Sequence, residues 1–209
     1  MKLPREAHGI MAHYFREVID PPETGALTPP QWEEGLRAYG SRLVSAHEWL
    51  EAFRKQRLGD AVCVTLDDGL ACQTLALGTL KRMKLTAFVY VITETLEGQR
   101  NKVEDGRWIR EHLYSSTAEF LTAWRRIVGP DERPMPSEFL AEYGYLTHAE
   151  REFRWWRNRW ATPREYRQVM AQLAFNATQP WHWLTVEELR AWKDHIIVGS
   201  HTHTHPWDI

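Results

Sequence analysis

The sequence predicts an α/β fold in which parallel strands are covered by helices, and three observations predict it. Ala61 to Leu66 and Thr86 to Ile92 are short apolar runs rich in β-branched residues, the pattern of strands buried on both faces. Between them, Leu70 to Met83 carries Leu70, Leu77 and Leu80 at helical spacing, with Thr74 among them. A strand, a helix and a second strand in that order build a parallel sheet with a crossover helix.

Taken in order, His8 to Phe15 reads as a first strand, ended by the turn-rich run Asp20, Pro21, Pro22, Glu23, Thr24, Gly25. Thr28 before Pro29, Pro30 and Gln31 signals a helix start, and that helix runs to about Tyr39, before Gly40. Ser45 with Glu48 forms a capping-box pattern for a helix that stops near Gly59. The strand Ala61 to Leu66 follows, bounded by Asp60 and Asp67, and then the helix and strand already described.

From about residue 93 to 183 the pattern becomes that of a helical insertion. Ser116 with Glu119, Thr147 with Glu150, and Thr162 before Pro163 mark helix starts. Breaks fall at Gly129 and Pro130, at Arg133 to Pro136, and at Gln179 and Pro180. The insertion holds a knot of Arg151, Arg154, Trp155, Trp156, Arg157, Arg159 and Trp160. Interleaved arginine and tryptophan suit single-stranded nucleic acid. Glu150, Glu152 and Glu165 sit beside them, so the knot reads as a solvated helix face with a tryptophan seam. Nine of the chain's eleven tryptophans lie from Trp108 onward, and core packing is favoured for them over stacking on a ligand. Thr185 with Glu188 opens a last helix to about Lys193, and Ile196 to Gly199 forms a final strand.

At 209 residues and 43% hydrophobic composition the chain can bury one large core, and it is read as a single domain carrying the insertion. A net charge of −2 gives no bias toward nucleic acid or anionic lipid. No stretch approaches the roughly 20 apolar residues of a membrane helix, and no signal-like apolar run opens the chain. Cys63 and Cys72 fit no disulfide or zinc-finger pattern, and Cys63 reads as a small buried hydrophobe. These features predict a soluble, reduced, cytoplasmic protein with neither nucleic acid nor membrane as a partner.

Two stretches carry chemistry: Thr65-Leu66-Asp67-Asp68-Gly69, and His201-Thr202-His203-Thr204-His205-Pro206. Each follows the C-terminal end of an expected parallel strand, where ligands bind in α/β folds. Carboxylate and imidazole together suit a zinc-like divalent ion, and three protein ligands leave a position open for water. That donor set describes a hydrolase. Adjacent Asp67 and Asp68 point in different directions, so one can ligate the ion while the other reaches water, and Gly69 allows a sharp turn. His201 and His205 stand four apart in a loop that can wrap an ion, with His203 between them. A continued strand would instead send all three to one side. Thr202 and Thr204 read as hydrogen-bond partners or turn residues. The isolated His47, His112, His148, His182 and His195 read as solvated or packing residues.

These two stretches resemble the motifs of the polysaccharide deacetylase family, the carbohydrate esterases that share the NodB homology domain. The first is similar to Thr-Phe-Asp-Asp-Gly, with Leu66 in place of phenylalanine, and the second to His-Ser/Thr-x-x-His-Pro. Ile10 to Tyr14 also resembles the opening strand of many such enzymes, and members linked to bacterial surface-polysaccharide biosynthesis share a helical insertion between the motifs. The resemblance implies a partial irregular (β/α) barrel of the polysaccharide deacetylase type with a large helical insertion. It implies removal of N-acetyl groups from a sugar of a polysaccharide or its precursor by metal-activated water, with Asp67 as general base. Asp68, His201 and His205 would ligate a divalent metal ion, zinc by preference, and His203 would have no role. The family's later motifs supply an arginine near the base, a hydrophobic wall and a histidine acid, and all would fall beyond Ile209. The resemblance therefore implies a chain truncated after the second motif. Its open sheet edge is either the mark of a fragment, the place where a second copy docks in a homo-oligomer, or the mark of a reduced homologue. Two other readings stand beside it: a different metal hydrolase built on a His-x-His pair, and a non-catalytic module that binds glycan or a protein partner.

Overall fold

The computed structural model describes residues 6–17, 26–129, 134–175, 177 and 180–205, apart from the side chain of Val103. The expected turn at Asp20 to Gly25 and the break positions Pro130, Arg133 and Gln179 lie outside them, as does Pro206. Among the described residues, four strands form one parallel sheet: β1 (His8–Ala12), β2 (Val62–Leu66), β3 (Ala87–Val91) and β4 (Ile196–Ser200), in that spatial order. The α/β class with parallel strands is as the sequence predicts. β1 is shorter than expected, because after Ala12 the chain leaves the ladder and Phe15 makes only an isolated bridge to Leu27.

The helices of the sheet unit begin where their caps put them. Thr28 and Gln31 form a reciprocal capping box for α1 (Pro29–Arg37), and at the start of α2 (Ala46–Arg54) the Glu48 carboxylate accepts from Ser45 N–H. α2 stops short of Gly59, the residue expected to end it. The segment after β2 opens with a 3₁₀ turn (Ala71–Gln73) before α3 (Thr74–Arg82). A short α4 (Thr93–Leu96) follows β3 directly. Trp32, Leu36, Leu77, Leu80 and, from the late helix α10 (Val186–Ala191), Leu189 pack onto one sheet face against Val64, Leu66, Val89 and Ile196. On the other face Ala46, Trp49 and Leu50 of α2 meet Cys63, Phe88, Tyr90 and Ile197. Burial there pushes the Cys63 thiol up to about 11, as befits a cysteine used as a hydrophobe.

A second compact unit, Arg100–Pro180, is helical among its described residues: α5 (Lys102–His112), α6 (Thr117–Val128), α7 (Ser137–Glu142), α8 (His148–Trp155) and α9 (Pro163–Leu173). Ser116, Thr147 and Thr162 cap α6, α8 and α9 as their sequence patterns predict. The arginine–tryptophan knot is less solvated than expected. A π-helical turn (Trp156–Trp160) continues α8 and carries Trp156 into a core of Ile109, Phe120, Trp124, Phe153 and Leu173. Burial also pulls the Arg157 guanidinium down to about 10. No helix among the described residues is long and apolar enough to cross a membrane.

One glycine of this unit supports a prediction with an inverted sign. Gly106 sits within α5, where alanine would ordinarily stabilise a helix by about 1 kcal/mol. A Cβ there would overlap the Tyr166 hydroxyl and lie 3.2 Å from its Cζ, and Tyr166 is only 2% exposed. Overpacking at such a site costs about 1–3 kcal/mol, so Gly106→Ala is expected to destabilise by about 1–2 kcal/mol in urea unfolding. A gain in stability would show that Tyr166 has room to move.

Candidate metal site

The site lies at the C-terminal ends of the strands, within the sheet unit. Past Leu66 the backbone reverses through two consecutive left-handed residues, Asp68 (φ 71°) and Gly69 (φ 64°). Aspartate tolerates that region better than most residues, and glycine enters it freely. Gly69 has a second reason, since a Cβ there would stand 2.9 Å from Val91 Cγ1. The turn buries the Asp68 carboxylate beneath the loop that follows β4.

That loop is shaped by its own hydrogen bonds. His201 N–H donates to the Val91 carbonyl at 2.8 Å, which continues the β3–β4 pairing by one residue. Thr202 turns left-handed (φ 65°), and its hydroxyl accepts from His205 N–H at 3.1 Å. His205 is left-handed as well (φ 47°). The segment is therefore a turn rather than a continued strand, and the histidines do not share one side. The rings of His201 and His205 come within 4.9 Å of each other. His203 turns to Thr93, where Nδ1 and the hydroxyl are 3.0 Å apart.

Asp68 Oδ1 stands 3.4 Å from His201 Nε2 and 3.5 Å from His205 Nε2. One ligand atom from each of the three residues falls within 4.8 Å of the others. Asp68 Oδ1 is buried with no hydrogen-bond partner, and so is His205 Nδ1. An orphaned buried carboxylate oxygen is costly unless something charged completes its surroundings. For bonds of about 2.0–2.2 Å, tetrahedral geometry sets donor atoms roughly 3.4 Å apart, so this donor set fits a zinc-sized ion. The two imidazoles remain about a third exposed, at 32% and 31%, which leaves the group open on one side.

Asp67 is not part of this cluster. It follows Leu66, which pairs with Val89, so it stands at the level of Tyr90 on the neighbouring strand. Burial, and then the charges of Cys63 and Asp67, push the Tyr90 hydroxyl above its ordinary value.

Two residues of the site were not singled out in the sequence. His13, which the sequence places only in the first strand, holds Nε2 3.8 Å from Asp68 Oδ2. Gln73 is fully buried, and its amide nitrogen donates to the carbonyls of both His13 and Asp67 while its oxygen accepts from Leu70 N–H. One side chain thus ties the ends of β1 and β2 together. A polar residue three positions after Leu70 was the available signal, but it reads first as a cap. The segment before α10 also braces this loop: Trp183 bridges Leu70, Leu184 N–H donates to Gly69, and Ala71 N–H donates to His182.

No protein-family profile matches the chain, and no curated protein matches it. Solved structures do align with it. A polysaccharide deacetylase from Bacillus cereus aligns at 13% identity over 92% of this chain, with a TM-score of 0.35; the chain spans 56% of that protein's length. The Streptococcus pyogenes deacetylase PplD, solved in complex with acetate, aligns at 16% identity over 90% of this chain and 98% of its own, with a TM-score of 0.37. IcaB from Ammonifex degensii aligns at 16% identity over 97% of this chain and 90% of its own, with a TM-score of 0.34. The chain is thus similar, at low identity, to deacetylases of solved structure, a polysaccharide deacetylase among them.

Proposed function

We propose that this chain is a metal-dependent hydrolase of the deacetylase type, acting on an N-acetylated sugar of a polysaccharide or its precursor. The observation that carries the reading is the convergence of Asp68, His201 and His205 around an orphaned carboxylate oxygen. The resemblance of both motifs to those of polysaccharide deacetylases supplies the substrate class. In this reading the sheet is part of a (β/α) barrel, and the helical unit is an insertion in one deacetylase-like domain.

Asp68, His201 and His205 would hold the ion, with zinc the best match to the donor set. A divalent ion there supplies Lewis acidity toward an acyl carbonyl and lowers the pKa of water. Asp67, one residue from the Asp68 ligand but outside the ligand group, takes the proton of the attacking water. His13, across Asp68 from the two loop histidines, returns a proton to the leaving amine. The reading built on a His-x-His pair is disfavoured, because the His203 ring is engaged by Thr93 while His205 accompanies His201.

The test is acetate release from an N-acetylated oligosaccharide by the zinc-loaded chain. Asp67→Asn is expected to lower the rate by about 10²–10⁴-fold. Zinc affinity in that variant should fall far less than in His201→Ala, as expected of a base that is not a ligand. A variant that turned over at the parent rate would remove Asp67 from the reaction.

A further inference from the structure

The middle histidine of the second motif has no part in the donor set just proposed, yet its side chain reaches a residue far away in the sequence. Its Nδ1 lies 3.0 Å from the Thr93 hydroxyl, across 110 residues of sequence. The same two positions are joined by backbone. Thr93 N–H donates to the Thr202 carbonyl at 3.1 Å, and Glu94 N–H donates to the His203 carbonyl at 3.0 Å. Thr93 and Glu94 are the first residues of α4, whose leading amides have no partner within the helix. The carbonyls of the histidine loop fill that vacancy, and the imidazole–hydroxyl bond closes the arrangement from the side.

We infer that His203 and Thr93 form a clasp that fixes the histidine loop on the start of α4 and so sets the spacing of His201 and His205 over Asp68. The inference rests on the metal site proposed above. The physical argument is preorganisation. His201 is held by one backbone bond to β3, and His205 by one bond to Thr202, whose carbonyl and whose neighbour's side chain both end at Thr93. Both Thr202 and His205 sit in left-handed backbone, which an unrestrained loop populates sparsely. Without the clasp, the loop would have to order its two imidazoles when the ion binds, and affinity would fall by the share of molecules that are not prepared. Groups that orient ligands in this way typically carry a factor of about 10–100 in metal affinity. His203 is therefore a positioning residue.

The experiment uses the full chain and zinc itself. Zinc affinity is measured by chelator competition for the parent, His203→Ala, His203→Asn, Thr93→Val and the double variant His203→Ala/Thr93→Val. His203→Ala and Thr93→Val are each expected to lose about 10-fold. The double variant should lose no more than either single change, since both remove one bond. Asparagine, which presents a polar atom near the place of Nδ1, should restore most of the loss. Parent-like affinity in both single variants, or losses that multiply in the double variant, would overturn the clasp. Hydrogen exchange of the metal-free chain gives a second readout that needs no metal. In His203→Ala the amides of Thr93, Glu94 and His205 should exchange faster, and unchanged exchange would overturn the clasp. A parent that bound no zinc, yet showed that faster exchange in the variant, would leave the clasp standing and remove the metal site instead.

Discussion

Metal-stripped protein titrated with zinc is expected to take up one equivalent, and His201→Ala is expected to weaken that binding by about 10³-fold. The magnitude follows from the donor count. Structural zinc in zinc-finger peptides binds with about 10–16 kcal/mol of free energy near neutral pH, which sets the scale. About 12 kcal/mol spread over three ligands gives each roughly 4 kcal/mol, a factor near 10³. Asp68 calls for a different substitution, because its left-handed backbone would strain alanine. Asparagine accepts that conformation and keeps the shape while removing the charge, so Asp68→Asn isolates the ion pair and should cost at least about 10²-fold. Calorimetry reads both variants directly. Zinc uptake that survives either change would show that the three side chains are neighbours for another reason, and the proposed hydrolase would fall with the site.

Trp124→Ala should destabilise the protein by about 3–5 kcal/mol, the largest folding effect expected of a single change in the helical unit. Trp124 is 1% exposed on α6. It packs edge-to-face on Phe153 at 5.4 Å and obliquely on Trp156 at 5.7 Å, so truncation removes a large buried area and two aromatic pairs at once. Whole-domain stability is only about 5–15 kcal/mol, so urea unfolding of this variant should begin at clearly lower concentration. Zinc affinity should stay within about twofold, because Trp124 makes its aromatic contacts inside the helical unit. A midpoint unchanged from the parent would mean that the surrounding rings collapse into the space.

Much of this was legible in the sequence, and the parts that were not share a cause. Cap residues read well because their signal is local: Thr28, Ser45, Ser116, Thr147, Thr162 and Thr185 all precede helices. The strands around Cys63 and Phe88 read well because both of their faces are buried. Strand and helix ends read less well. β1 stops at Ala12, where ladder partners run out, and nothing in residues 13–15 announces that loss. At the site, residue types and their places after strands pointed to a metal centre shared by the two stretches but left Asp67 and Asp68 interchangeable, and the choice of Asp68 with His201 and His205 came from the resemblance to deacetylase motifs. The contributions of His13, Gln73 and His203 could not, because each depends on a partner brought near by the fold: Asp68, the carbonyls of two strand ends, and Thr93. A lone histidine or glutamine in a sequence carries no trace of such a neighbour.

The register of the last strand bears on the order in which the molecule forms. β3 and β4 are adjacent, with Ala87 beside Ile196, yet the chain between them makes an excursion of about a hundred residues. β1, β2 and β3 can assemble early, since at most about fifty residues of short helices and turns separate neighbours, and Asp68 is then already in its left-handed turn. β4 must close a far longer loop, and its pairing belongs among the slow, late steps of folding. His201 and His205 arrive with it. Asp68 therefore waits through most of folding for the imidazoles of His201 and His205, and a metal ion offered early meets an incomplete site.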